Sequence, residues 1–102
     1  MFKILVVDEE RNIEYIAGEI DSKIINLLCE LAQNHNLHCL NFLSVDQSTY
    51  FNHVQQFYLK KELEFLQNSP IKPGLMPYLE ILFNTIKVAM QDGFSQLKIQ
   101  LS

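Results

Sequence analysis

Residue types able to do chemistry are sparse in this chain of 102 residues. His35, His38 and Cys39 stand close enough in sequence to suggest a zinc site. No matching Cys/His pair lies elsewhere to complete four ligands, and His53 alone does not supply it. Cys29 falls on an apolar helical face, where a thiol is inert, and Cys39 next to His38 would point to the other side of a strand. Carboxylates pair at Glu9–Glu10 and at Glu62/Glu64, positions that read as a turn and a solvated helix surface. With three glycines in all there is no phosphate cradle, and no Gly-x-Ser-x-Gly occurs. The expectation is a protein that is not an enzyme and that uses no metal and no cofactor.

Charge placement says more. The net charge is −4, and residues 1–21 hold six acids (Asp8, Glu9, Glu10, Glu14, Glu19, Asp21) against Lys3 and Arg11. That segment alone therefore carries −4, and the remaining residues balance to zero. Such a distribution argues against nucleic acid as a partner and for a basic protein surface. The candidate contact residues are Asp8, Glu9, Glu10, Glu14 and Tyr15 on this segment. Asp46 and Tyr50, in a polar stretch further on, complete the set.

These residues need elements to hold them. The length is that of one domain, residues 1–102, with one hydrophobic core, and 48% of the residues are apolar. No apolar run approaches the ~20 residues of a membrane span, and the acids after Val7 do not fit a signal peptide. A cytoplasmic protein with reduced cysteines is expected.

Phe2 to Val7 reads as a strand, Asp8 to Asn12 as a turn, and Ile13 to Ala17 as a partly exposed returning strand closed by Gly18. Asp21 or Ser22 can cap a helix over Lys23 to Asn34, with Ile24, Ile25, Leu27, Leu28, Leu31 and Ala32 as its apolar stripe. Leu37 to Leu43, apolar on both alternating sets, predicts an inner strand. Ser44 to His53 reads as a loop, with Tyr50 and Phe51 as its anchors or as contact residues. Val54 to Gln67 predicts a helix with two apolar stripes. Leu59, Leu63 and Leu66 form one; Val54, Phe57, Tyr58 and Phe65 form the other, expected to meet a neighbouring helix. A breaker cluster at 69–74 precedes a helix from Pro77 to Gln91 that Gly93 stops. Leu97, Ile99 and Leu101 alternate with polar residues as a final strand facing the core. The fold class is α+β, a small sheet of about four strands with three helices packed on it.

Two resemblances follow from particular residues. Lys3-Ile4-Leu5-Val6-Val7-Asp8-Glu9-Glu10 resembles the opening of response-regulator receiver domains, which would make Asp8 and Glu9 ligands of Mg²⁺. The pattern stops after about a dozen residues, since no third strand delivers a phosphoacceptor Asp; a hairpin turn is preferred. From Ile24 onward the chain resembles small bacterial immunity proteins of contact-dependent growth-inhibition and polymorphic toxin systems. The similar residues are Leu27 to Gln33, Leu37 to Phe42, Tyr50 to Gln55, Glu62 to Leu66 and Leu97 to Ile99. The resemblance implies an inhibitor that binds and occludes a cognate toxin domain, often a nuclease. A nuclease site is cationic, so an acidic turn would compete as a phosphate mimic and speed association. The alternatives are a degenerate receiver-like regulatory domain and a homodimeric adaptor; the free protein is expected to be a monomer or weak dimer.

Overall fold

The computed structural model of the chain describes every residue except Met1, Lys72, Phe94, Ser95 and Ser102, and the backbone alone of Leu101. Four antiparallel strands form one sheet in the order β2-β1-β4-β3. They are β1 (Phe2–Asp8), β2 (Ile13–Ile20), β3 (Thr49–Asn52) and β4 (Gln96–Leu101). The helices are α1 (Ser22–His35), α2 (His53–Gln67) and α3 (Met76–Asp92). The α+β class and the count of strands and helices are as the sequence predicts.

The helices cover one face of the sheet; the other, called the open face below, carries no helix among the described residues, and its central Leu5 is buried by its neighbours. Phe2, Ile4 and Val6 of β1, Phe51 of β3, and Leu97 and Ile99 of β4 join a single core with Ile25 and Leu28 of α1, Leu59 and Leu63 of α2, and Leu79 and Ile86 of α3. The alternate residues point away, as the two-residue period of a strand requires. Leu97 and Ile99 thus face the core as expected; the side chain of Leu101 lies outside the described residues.

Helix ends follow local chemistry. The Asp21 side chain accepts from the N–H of Lys23 at 2.6 Å and starts α1. Asn36, in the left-handed conformation at φ 56°, ends it. Asn52 closes β3 and also caps α2. Its side chain accepts from Gln55 N–H while the Gln55 side chain accepts from Asn52 N–H, both at 2.8 Å. Gly93 ends α3 at φ 74°, a conformation that costs a residue with a Cβ.

Three expectations are corrected. Leu37–Leu43 is not a strand: after Asn36 the chain makes a 3-10 turn over Leu40–Phe42, with Asn41 N–H bonded to Leu37 C=O and Leu43 N–H to Leu40 C=O. Its buried residues are Cys39, Leu40 and Leu43, a helical spacing, whereas Phe42 is 57% exposed. The third strand is instead Thr49–Asn52, in the stretch expected to be a loop. Thr49 and Phe51 are buried there and Tyr50 is exposed, the period of two that a half-buried strand shows. Gly18 does not close the hairpin but lies within β2. Ile4 pairs with Gly18 and Leu5 with Ile16, so Ala17 is the extra residue of a bulge.

The second stripe of α2 is also not where the sequence led. Leu59, Leu63 and Leu66 are buried as expected, but Val54, Phe57, Tyr58 and Phe65 are exposed. At about 100° per residue they sit opposite the buried stripe, and α3 packs against a flank between the two, where Lys60 lies over the Phe83 ring.

Candidate functional site

The acidic segment predicted to make contact is the β1–β2 hairpin, and its turn is built around Asp8. The Asp8 carboxylate accepts from the N–H of Glu10 at 3.1 Å and of Arg11 at 3.3 Å, and it is ion-paired with the Arg11 guanidinium. Arg11 also donates through Nη2 to the Asp92 carbonyl at 2.9 Å, so the turn is fastened to the end of α3. Asn12 supplies the left-handed residue that the turn needs, at φ 53°. The hydrogen bond from Arg11 holds the Asp8 carboxyl below its ordinary pKa, against the desolvation that opposes ionisation.

Asp8 is only 5% exposed, so this carboxylate organises the turn and is not presented by it. Glu9 and Glu10 occupy the exposed tip. Glu14 is exposed on β2, directly opposite Val7 on β1. Residues opposite each other across a pair share a sheet face. Glu14, Ile16 and Glu19, paired with Val7, Leu5 and Lys3, therefore lie on the open face. Ile13, Tyr15 and Gly18, paired with Asp8, Val6 and Ile4, lie on the helix side.

Tyr15 is 56% exposed and borders a shallow cleft of about 160 Å³ between β2 and α3, lined also by Ala17, Asn84, Thr85 and Val88. Tyr50 stands on β3, at the opposite edge of the sheet from β2. It nevertheless shares the open face, in a row running Ile16, Leu5, Lys98, Tyr50 across all four strands. The Lys98 ammonium lies 5.2 Å above the Tyr50 ring, a cation–π contact. Asp46 belongs to the loop entering β3, where its N–H bonds to Ser44 Oγ at 3.1 Å. The predicted residues thus divide between the hairpin (Glu9, Glu10, Glu14, Tyr15) and the far edge (Asp46, Tyr50).

Sequence reasoning missed the apolar residues that accompany the hairpin acids. Ile13 and Ile16 on β2 and Ile81 and Val88 on α3 are all exposed. The first two could have been found from an isoleucine-rich strand beside an acidic turn; the others needed the packing of α3 against β2. Ile81 packs over Gly18, close enough that a Cβ there would touch Ile81 Cγ2 at 3.4 Å.

Other chemically able groups are committed to structure. Glu62 accepts from the backbone N–H of Cys39 at 2.9 Å and of Leu40 at 3.0 Å, pinning the 3-10 turn to α2. The Cys39 thiol points to the Gln55 carbonyl, and burial together with Glu62 pushes it up to about 11. Both cysteines are free thiols, and burial also raises Cys29. The His35 ring packs edge-on against Phe65 at 5.3 Å. Among the described residues no group of three His, Cys, Asp or Glu side chains is arranged to hold a metal ion.

Among the described residues no helix is long and apolar enough to cross a membrane. Comparisons of the chain with family models, with curated proteins and with solved structures each returned no significant match.

Proposed function

We propose that this chain is a bacterial immunity protein, which binds a cognate toxin domain of nuclease type in the cytoplasm and occludes its active site. The observation that carries the reading is the β1–β2 hairpin. It carries five acids against Lys3 and Arg11, a net charge of −3 out of the chain's −4, with Glu9, Glu10, Glu14 and Glu19 exposed beside exposed Ile13, Tyr15 and Ile16. Carboxylates beside an aromatic and two aliphatic anchors suit a cationic, phosphate-binding surface, because the charges steer the encounter and the apolar groups hold the complex. The resemblance of Leu27 to Gln33, Leu37 to Phe42 and Tyr50 to Gln55 to immunity proteins supports the same reading.

The test is co-expression of the chain with the toxin domain encoded beside it. Protection from growth arrest is expected, and arrest despite full expression refutes the proposal. Replacing Glu9, Glu10, Glu14 and Glu19 together by Gln should slow association by roughly tenfold or more, and added salt should slow the wild type likewise. Asp8 is left out of that set because its loss would disturb the turn itself.

A second reading, a homodimeric adaptor, is favoured by one observation: the stripe of Val54, Phe57, Tyr58 and Phe65 on α2 is uncovered in the single chain.

A further inference from the structure

We infer that the outer edge of β2 is a docking rail for an extended, basic segment of a partner protein, which adds to the sheet as a fifth strand. The inference rests on the immunity reading only for the identity of that partner.

β2 is an eight-residue strand at the end of the sheet, with β1 as its neighbour on one side and no strand on the other among the described residues. A long edge strand presents unpaired backbone N–H and C=O groups, and folds blunt it with proline, charged side chains (lysine above all), a bulge or brevity. β2 contains neither proline nor lysine. The opposite edge, β3, has only four residues and turns at once into α2. The bulge at Ala17 is the one backbone device of that kind in β2, and the regular pairing with β1 resumes on both sides of it, leaving Ile13–Ile16 and Gly18–Ile20 as extended runs.

The chemistry of the two faces of this edge specifies the occupant. On the open face stand Glu14, Ile16 and Glu19, and Lys3 opposite Glu19 is the one base paired with them across β1. On the helix side stand Ile13 and Tyr15, backed by exposed Ile81 and Val88 and by the cleft between β2 and α3. An incoming strand alternates its side chains between the same two faces. Its complement is therefore a segment that puts Lys or Arg on one face and aliphatic residues on the other. A second copy of this chain does not fit that description. Two β2 edges paired antiparallel would bring four carboxylates onto one face of adjacent strands and add no base from either edge. Like charges opposite each other destabilise such pairs.

The probe is an end-blocked octapeptide alternating lysine and valine, titrated into the isotopically labelled full chain and followed by amide chemical shifts. Shifts are expected along residues 13–20 and on the 81–88 flank of α3, with new exchange protection for alternate amides of β2. Two further peptides decide the mode: one N-methylated on every lysine, the other on every valine. In a paired strand only one of these sets of N–H groups faces β2, so one peptide loses binding and the other retains it. Glu14→Gln with Glu19→Gln should weaken binding about 3- to 10-fold, the range for two exposed ion pairs.

Equal binding of both methylated peptides, shifts confined to the turn at 9–12 or to α2, or no shifts at millimolar peptide each overturn the inference. The two proposals fail separately. Protection from the toxin without edge binding leaves the immunity reading and removes the rail. Edge binding without protection keeps the rail for a different basic partner.

Discussion

Single side chains fix the turns that the sequence leaves free. Glu62 is an α2 residue whose carboxylate satisfies two amides of a segment distant in sequence, Cys39 and Leu40. Glu62→Ala leaves both N–H groups without that acceptor and should cost about 1–3 kcal/mol in urea melts, with loss of exchange protection at those two amides. Asp8 has a lowered pKa in the folded state, so the stability it contributes is present above the unfolded carboxyl value, about 4, and is lost as pH falls through the folded value. The acid limb of a stability-against-pH curve should accordingly be flatter in Asp8→Asn than in the wild type, and identical limbs would count against the Arg11 clamp. Cys39 runs the other way: its folded value of about 11 lies above that of a free thiol, so its contribution is complete below about pH 8.5 and lost towards pH 11. In a Cys29→Ala background, the thiol of Cys39 should react with a disulfide reagent at pH 8 more than about a hundredfold slower than a free cysteine.

At the scale of elements, the segment Leu37–Leu43 separates two accounts of the same residues. Read as a strand, Leu40 and Phe42 would be equally buried. In the 3-10 turn Leu40 is 1% exposed and Phe42 is 57% exposed. Leu40→Ala should therefore cost about 2–5 kcal/mol and Phe42→Ala less than about 1 kcal/mol, and equal losses would restore the strand. The strand pattern misled because apolar residues at 37, 39, 40, 42 and 43 satisfy a period of two and a helical turn alike, and only Glu62 and the ending of α1 at Asn36 decide between them. Thr49–Asn52 was legible in principle, as a β-branched residue followed by two aromatics, but its polar surroundings hid it. At the end of α3, Gly93→Ala places a Cβ in a left-handed residue with no contact to relieve it, at a cost of about 1 kcal/mol by thermal melt.

For the whole molecule, the radius of gyration of 12.6 Å is that of a compact domain of this length. Among the described residues, and besides the helix-free face of the sheet, two surfaces expose large apolar side chains: the β2 edge with its flank of α3, and the aromatic stripe of α2. Sedimentation across a wide concentration range distinguishes their uses. A concentration-dependent dimer abolished by Tyr58→Glu with Phe65→Glu would favour the adaptor, whereas a monomer throughout leaves the acidic edge as the surface to follow. The sequence by itself determined the hairpin, the three helices with the Asp21 cap of α1 and the Gly93 stop of α3, the inward face of β4 and the acidic bias of residues 1–21, because periodicity, capping residues and charge are local properties of the chain. Of the candidate site it showed Glu9, Glu10, Glu14 and Tyr15 in one unit. Only the tertiary structure decided that Asp8 turns inward to Arg11, that Tyr50 stands three strands away on the open face, and that α3 brings Ile81 and Val88 beside β2. Those outcomes depend on which strands pair and which helix faces meet, and such contacts between distant residues leave no period in the sequence.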